Sequence, residues 1–256
     1  MSELFSVKDK SVVVTGGSRG IGKMIATGFV EGGARVYVSS RKAAACEETA
    51  AELGARGRCV AVPADVATAE GRAALLAGVG AHEESLDVLV NNAGTNWAAP
   101  LEAYTDEAFD KVLGLNVRAL FALTQAFAPM LRAAASPADP ARVINIGSID
   151  GIHVPQLDTY AYSTSKAAVH HLTRVLARRL SQDSITVNAV APGPFPSKMM
   201  KETLENFGDA IVASVPLGRI GEPPDMAGVA LYLASRAGAY VTGAVIPVDG
   251  GMATCK

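Results

Sequence analysis

Several short runs of the chain are apolar throughout, with no alternation between apolar and polar residues. Three of them read SVVVT from Ser11, DVLVN from Asp87 and RVINI from Arg142. A strand with one face in water alternates in polarity, so continuous apolar runs of this length indicate strands covered on both faces. Longer Ala- and Leu-rich stretches between these runs can supply the covering helices. This order predicts an α/β fold with a doubly wound parallel sheet and right-handed crossovers.

We predict seven strands, with helices on both faces of the sheet. The strands are expected at Ser11–Thr15, Arg35–Ser39, Arg58–Val62, Leu86–Asn91, Arg142–Gly147, Thr186–Val190 and Ala244–Val248. The helices are expected near 21–31, 42–53, 69–79, 106–134, 160–181 and 223–235. Because neither a repeat nor a linker interrupts the 256 residues, a single domain over 1–256 is expected. The proline-rich ends of segment 193–223 favour a substrate lid there.

Composition and charge exclude several classes of protein. The net charge is −2, without the basic excess of a general nucleic-acid or membrane-surface binder, so a small-molecule partner is expected. No apolar run approaches the ~20 residues of a membrane span and no signal segment is visible, which predicts a cytoplasmic protein. The three cysteines form no CxxC pair, so neither a disulfide framework nor a metal site is expected. Charged residues make up only 19%, which favours an oligomer that hides part of its surface.

A glycine-rich segment, TGGSRGIG at residues 15–22, lies directly between the first predicted strand and the first predicted helix. Glycines permit a tight turn and the close approach of a pyrophosphate, and the helix N-terminus offers free N–H groups. An ordinary glycine-rich turn is the alternative, but the position between strand and helix favours nucleotide binding. The cofactor is therefore expected to contact Gly16, Ser18, Arg19, Gly20, Ile21 and Gly22.

The end of the second predicted strand indicates which cofactor binds. Ser40 lies where NAD enzymes usually carry an acid for the ribose 2′-hydroxyl, and Arg41 follows it. A carboxylate would repel a 2′-phosphate, whereas Ser40 can donate to it and Arg41 and Arg19 can pair with it. This favours NADP(H), with NAD(H) and solvated arginines as the alternatives. Asp65 and its neighbour Val66 follow the third strand and are expected near the adenine, although Asp65 can equally cap a turn.

A tyrosine and a lysine, Tyr162 and Lys166, are four residues apart in a predicted helix and so share one face. An unperturbed tyrosine has a pKa near ~10, and a positive charge about 4 Å away contributes ~4 kcal/mol, enough to lower the pKa toward ~7. With help from an oxidised nicotinamide, Tyr162 is therefore expected to act as an acid and base near neutral pH. Tyr160 is the competing tyrosine, but it is six residues from Lys166 and lies on another face.

Two further polar residues are candidates for the same site. Ser148 ends the fifth predicted strand, and carboxyl ends of strands line the ligand crevice of a doubly wound sheet. It can hydrogen-bond a substrate oxygen or, alternatively, cap a turn. Asn116 is polar within an apolar predicted helix, and a buried Asn needs partners. It is therefore either a satisfied kink or a member of a polar relay.

Seven motifs together resemble the short-chain dehydrogenase/reductase family over essentially the whole chain. They are, in the family's order, TGGSRGIG (15–22), NNAG (91–94), Asn116, Ser148, Tyr162-x-x-x-Lys166, PG (192–193) and PVDGG (247–251). The resemblance implies a Rossmann-type sheet, hydride transfer between NADP(H) and a carbonyl or secondary alcohol, and a homo-oligomer, either a tetramer or a dimer. Within the family, phrases such as YAYSTSKAA are similar to bacterial NADPH-dependent 3-oxoacyl reductases, including the rhamnolipid-pathway type.

The resemblance also implies roles for individual residues. Tyr162 is the implied general acid, and Ser148 polarises the carbonyl oxygen. Lys166 binds the nicotinamide ribose and lowers the pKa of the tyrosine, while Asn116 holds a water in a proton relay. Further residues are implied to line the cofactor cleft: Asn91, Asn92, Ala93, Gly94, Pro192, Gly193 and Ser197.

The substrate pocket is expected to be partly apolar, because several larger side chains follow strand ends or lie in the lid. These are Trp97, His153, Gln156, Phe195 and Met199. The adjacent His170 and His171 are interpreted as interface or surface residues, not as metal ligands.

Two other functions compete with an NADPH-dependent reductase. One is an NAD(H)-linked sugar or polyol dehydrogenase on the same scaffold. The other is a non-catalytic, redox-sensing nucleotide-binding protein. Such sensors often lack the tyrosine or the lysine, so the complete set around Tyr162 and Lys166 argues against that alternative.

Overall fold

Seven parallel strands form one sheet in the computed structural model, which describes residues 3–197 and 200–255. The strands are β1 (Ser11–Thr15), β2 (Arg35–Ser39), β3 (Arg58–Ala61), β4 (Val88–Asn91), β5 (Ala141–Ile146), β6 (Ile185–Pro192) and β7 (Val245–Val248). Their order across the sheet is β3-β2-β1-β4-β5-β6-β7. This order, doubly wound from a central β1, confirms the predicted fold class.

Helices cover both faces of this sheet. They are α1 (Gly20–Glu31), α2 (Ala43–Gly54), α3 (Ala69–Gly80), α4 (Asp106–Leu113), α5 (Leu120–Ala134), α6 (Tyr160–Leu180), α7 (Lys201–Ser214) and α8 (Pro223–Ala234). Short 3₁₀ turns occur at Glu3–Phe5, Leu101–Ala103, Ile149–Gly151, Ser181–Asp183 and Arg236–Gly238. The predicted lid contains α7, and Met199 lies outside the described residues.

The hydrophobic core has two layers, one on each face of the sheet. Because successive side chains of a strand point to opposite faces, Val12 and Val14 pack in one layer and Val13 packs in the other. Helices α1, α2 and α8 cover the first layer, and α3, α5 and α6 cover the second. The unalternating apolar runs are explained by this burial on both sides.

The single helix predicted over 106–134 is interrupted in the structure. Between α4 and α5, residues Gly114–Ala119 form a π-helical segment that contains Asn116. Such segments insert an extra residue into a helix and often occur at functional sites. Asp106–Ala134 is also the one stretch of the described residues long and apolar enough to span a membrane. Leu123, Phe127 and Leu131 of this stretch are buried in the core layer under β4 and β5, as expected of a core helix.

Candidate active site

The carboxyl ends of the parallel strands bring most of the predicted site residues to one edge of the sheet. The glycine turn follows β1, Ser40 follows β2, Asn92 follows β4, Ser148 follows β5 and Gly193 follows β6. Helix α6 lies at the end of β5, where Nζ of Lys166 donates to the carbonyl oxygen of Ile146 at 2.7 Å. The fold therefore collects groups that are up to 177 residues apart, from Gly16 to Gly193, at one crevice.

The glycine turn has the backbone geometry that a phosphate site needs. Gly16 and Gly20 have φ values of +65° and +51°, which favour glycine. The amide of Asn92 donates to the carbonyl oxygens of Thr15 at 2.9 Å and Gly16 at 3.2 Å, so it holds the turn. At the start of α1, Arg19 is extended and no side chain caps the helix. The first N–H groups of α1 therefore remain available for an anion.

The residues expected to select NADP(H) lie beside this turn. Arg19 and Arg41 are both exposed, and neither takes part in a hydrogen bond or ion pair within the described part of the chain that would occupy its guanidinium. Ser40 is partly buried and donates to the carbonyl oxygen of Lys42 at 3.1 Å. With no carboxylate at position 40 and two free cations nearby, this donor set fits a 2′-phosphate.

Asp65 and Val66 serve the fold directly. The carboxylate of Asp65 accepts the N–H of Ala67 at 3.1 Å and so caps its own turn. Val66 is buried in a core layer. Asp65 is exposed and caps a turn, which is the alternative interpretation of this residue, and its contact with the adenine stays a prediction.

Ser148, Tyr162 and Lys166 form the polar centre of the crevice. Nζ of Lys166 lies 5.4 Å from the centroid of the Tyr162 ring. Burial raises the pKa of Tyr162 to about 12, although a hydrogen bond with Ser148 acts in the opposite direction. Burial also lowers the pKa of Lys166 to about 8. The expected lowering of the tyrosine pKa is thus not found in the protein alone, in which burial sets the direction of the shift.

Both polar atoms of the Asn116 side chain form hydrogen bonds within the protein. Its Oδ1 accepts the N–H of Thr95 at 2.9 Å, and its Nδ2 donates to the carbonyl oxygen of Thr95 and to Oγ of Ser165, each at 2.9 Å. Ser165 in turn donates to the carbonyl oxygen of Tyr162 at 2.6 Å. The side chain therefore fixes the π-helical segment to the backbone of Tyr162 through Ser165, which is the satisfied-kink alternative. Its role in a proton relay stays a prediction.

The remaining residues implied to line the cofactor cleft differ in exposure. Gly94 is exposed beside Asn116, and Ala93 is half-buried. Pro192 is buried at the end of β6, and Gly193 donates to the carbonyl oxygen of Val248 at 3.0 Å. Ser197 lies against Gly20, where a Cβ atom at position 20 would come within 3.2 Å of the serine Cβ.

Asn91 was implied to line the cleft, but this is wrong, because its side chain is buried below it. Nδ2 of Asn91 donates to Oδ1 of Asn145 at 2.9 Å and to Oγ1 of Thr124 at 3.1 Å. Nδ2 of Asn145 donates to Oγ1 of Thr173 at 3.0 Å. These amides and hydroxyls join β4 and β5 to α5 and α6. Sequence reasoning missed this network, whose only signal was the polar residue within each apolar strand run.

The predicted substrate residues do not all reach the crevice. Trp97 is 43% exposed and has Nζ of Lys111 at 5.3 Å from its ring centroid. His153 is partly buried and Gln156 is exposed, both on the loop after Ser148. Phe195 is only 2% exposed and belongs to a core layer, so its assignment to the substrate pocket is wrong. Its ring packs against Gly221 and so joins the two ends of segment 193–223.

Beside this centre, sequence reasoning misplaced one titratable residue, His170, and overlooked another, Asp150. His170 is 4% exposed, so its interpretation as a surface or interface residue is wrong, whereas His171 is exposed. Burial lowers the pKa of His170 to about 4. Asp150 follows Ser148 by two residues, and burial raises the pKa of its carboxyl. A signal for Asp150 was its position just after a strand end of the crevice.

The arrangement combines a hydroxyl, a phenol and an ammonium with a phosphate-binding turn at one crevice. Such groups can hold a dinucleotide and transfer a proton to or from a substrate oxygen. No group of three or more His, Cys, Asp or Glu side chains suited to a metal ion occurs within residues 3–197 and 200–255.

Comparison with known proteins identifies relatives that match along nearly the whole chain. The family model described as enoyl-(acyl carrier protein) reductase matches residues 16–253. The chain is 49% identical to a rhamnolipids biosynthesis 3-oxoacyl-[acyl-carrier-protein] reductase of Pseudomonas aeruginosa, covering 98% of this chain and 99% of the relative. It is 37% identical to a second 3-oxoacyl-[acyl-carrier-protein] reductase of the same species, covering 96% and 98%.

A solved structure agrees with these sequence matches. A Pseudomonas aeruginosa protein described as an active-site complex with NADP superposes with a TM-score of 0.94 at 49% identity. The match covers 98% of this chain and 99% of that one.

Proposed function

Because the chain belongs to the short-chain dehydrogenase/reductase family, we propose that it is an NADPH-dependent reductase of a 3-oxoacyl thioester. The observation that carries this proposal is the cluster of Ser148, Tyr162 and Lys166 at the carboxyl edge of the sheet, where the glycine turn also lies. The relatives described as 3-oxoacyl reductases, and the one described with NADP, support the choice of substrate class and cofactor.

In this proposal the cofactor lies along the strand ends from the glycine turn to Lys166. The N-terminus of α1 binds the pyrophosphate, and Arg19, Ser40 and Arg41 bind the 2′-phosphate. Lys166 is the donor to the nicotinamide ribose. When bound, NADPH supplies a hydride to the carbonyl carbon of the substrate.

The protein's own side chains act on the carbonyl oxygen. Ser148 donates a hydrogen bond that polarises the carbonyl group. Tyr162 then gives its phenolic proton to the oxygen as negative charge develops there. A phenol whose pKa lies near 12 in the free protein is protonated at neutral pH, which suits it to act as the acid in reduction. In the reverse direction the phenolate takes the proton from an alcohol.

The surroundings of this site in the cell are part of the same proposal. We infer a single catalytic domain whose lid, residues 193–223, covers the substrate. We also infer a homo-oligomer in the cytoplasm, a tetramer or a dimer. Phe121 and Val175 on α5 and α6 are exposed apolar residues that a second copy would cover. Light scattering at micromolar concentration should give a mass above one chain, and a monomer would contradict this.

A substrate screen tests the proposed activity. Oxidation of NADPH is followed at 340 nm with 3-oxoacyl thioesters, simple ketones and keto-sugars, and each active substrate is repeated with NADH. We expect the thioesters to give the highest kcat/KM and NADPH to be preferred. Preference for NADH with sugars would favour the competing polyol dehydrogenase. Cofactor binding without turnover of any substrate would favour the non-catalytic sensor.

A further inference from the structure

Two titratable side chains, Asp150 and His153, lie close together just after the catalytic serine. Asp150 belongs to the 3₁₀ turn Ile149–Gly151, and its N–H donates to Oγ of Ser148 at 3.1 Å. His153 lies on the same loop, with Nε2 at 3.9 Å from Oδ1 of Asp150. Both side chains are mostly buried, at 25% and 20% exposure. A mostly buried acidic residue on the turn that is bonded to Ser148 calls for a physical explanation.

The turn is pressed onto helix α6 at the catalytic lysine. A Cβ atom at Gly151 would come within 2.6 Å of the backbone carbon of Lys166 and 2.7 Å of the N atom of Ala167. Because glycine at position 151 permits this approach, the carboxylate one residue earlier lies within electrostatic range of both Lys166 and Tyr162. The negative charge of Asp150 acts on the pKa of both residues.

The other ionisable groups around Asp150 are few. Helix α6 presents Tyr162, Lys166 and His170 toward the turn, and the loop itself presents His153. Strand β6, which also packs against the turn, carries no titratable side chain. Lys166 and His153 favour the ionised form of the Asp150 carboxyl, whereas burial opposes it.

We propose that Asp150 is a positioning residue that supplies the counter-charge of Lys166 and keeps the catalytic pair protonated, so that the site favours carbonyl reduction. The proposal rests on the proposed function, because Tyr162 must act as the acid. Asp150 itself contacts neither substrate nor cofactor in this role. Its negative charge favours the ammonium of Lys166 and disfavours the phenolate of Tyr162.

Removing the charge of Asp150 shifts the titration in the same direction whether Tyr162 or Lys166 loses its proton first. Asp150 acts on both Tyr162 and Lys166, and a nearby negative charge holds the proton on each of them. Removing that charge therefore lets the pair lose its first proton at lower pH. At partly screened distances of several ångströms, the shift is expected to be roughly one pH unit.

The kinetic test compares the pH profiles of reduction for the wild type, Asp150→Asn and Asp150→Glu. The alkaline limb of kcat/KM with NADPH should move down by roughly one pH unit in Asp150→Asn. Asp150→Glu keeps the charge and should restore most of the wild-type limb. Asp158→Asn is the matched control, because Asp158 is an exposed acid of the same loop bonded to Tyr160, and its limb should stay in place. A merely structural role would scale the whole profile without shifting its limb.

A second measurement works even if no substrate is found, and so separates this proposal from the proposed function. The protein is labelled with 4-¹³C-tyrosine, and the Tyr162 resonance is identified by its loss in Tyr162→Phe. Because Lys166 lies over the ring, this resonance reports ionisation of either group. Its lowest-pH inflection should fall in Asp150→Asn and return in Asp150→Glu. An unmoved inflection, or an unmoved kinetic limb in an active enzyme, would overturn the proposal.

Discussion

The imidazole of His170 lies against Gly147, the residue before Ser148, and occupies the space that a Cβ atom at position 147 would need. The ring also approaches Gly151, so it lies behind both ends of the turn that carries the catalytic serine. Its Nε2 atom is buried without a hydrogen-bond partner among the described residues. A charged imidazole there would be poorly solvated, which explains why burial lowers the pKa of His170 to about 4.

This burial predicts a loss of stability in acid. The unfolded chain binds a proton at a histidine near pH 6.5, whereas folded His170 does so only near pH 4. The free energy of unfolding should therefore fall as the pH drops from ~6.5 toward ~4, by at most about 3 kcal/mol from this residue. Urea unfolding at pH 7 and pH 4.5 measures the fall. His170→Gln should reduce this fall in the free energy of unfolding, while His171→Gln at the exposed neighbour should leave the fall unchanged. An equal fall in the wild type and both variants would contradict the prediction.

The lid should depend on the contact between Phe195 and Gly221. A Cβ atom at position 221 would overlap the ring of Phe195, which is buried among core residues and cannot move freely. Gly221→Ala should therefore lower the free energy of unfolding by ~1–3 kcal/mol and raise KM for the substrate. Urea unfolding and steady-state kinetics measure the two effects. The control is Gly228→Ala in α8, where a Cβ atom meets nothing within 4 Å and should change neither quantity adversely.

Cofactor preference should depend on Arg41. Arg41→Asp removes a cation and adds an anion beside the expected 2′-phosphate, and the loss of a charged hydrogen bond costs ~1.5–3 kcal/mol. The Kd for NADPH should therefore rise at least ~10-fold, while that for NADH changes little or falls. Cofactor titrations of protein fluorescence can measure both constants. Arg58→Asp carries the same charge change at the start of β3, the opposite end of the sheet, and should leave the ratio unaltered. Equal losses for both cofactors would mean that Arg41 supports the fold.

The fold was predictable, and so was the edge of the sheet at which the candidate site residues gather, because both follow from local patterns. Unalternating apolar runs indicated strands buried on two faces, and parallel strands necessarily bring their carboxyl ends to one edge. Ser148 and Gly16 could therefore be assigned to one crevice although 132 residues separate them. The doubly wound order needed no knowledge of side-chain packing.

Properties that depend on packing between distant segments were not predictable. From the sequence alone, Phe195 is predicted to contact the substrate, and only the structure shows that its ring packs against Gly221. His170 has the sequence context of an exposed helix, and its burial depends on two glycines of another loop. The pKa of Tyr162 likewise depends on how deeply the helix is buried, whereas spacing reveals only that Lys166 shares its face.

The catalytic assignment depends on the hydroxyl of Tyr162. Tyr162→Phe keeps the ring and its packing but removes the acid, so kcat should fall by at least the ~10²–10⁴ of positioned proton transfer. NADPH affinity should persist, because the expected ribose donor is Lys166. Lys166→Ala should impair both turnover and cofactor binding, since it removes that donor and the charge beside the phenol. The hydroxyl of Tyr160 instead donates to Asp158 at 3.0 Å, so Tyr160→Phe is the matched control and should retain nearly full turnover. Steady-state kinetics and cofactor titration of the three variants distinguish the outcomes. An active Tyr162→Phe protein would refute the mechanism. An inactive Tyr160→Phe protein with intact cofactor binding would instead assign the role of the acid to Tyr160.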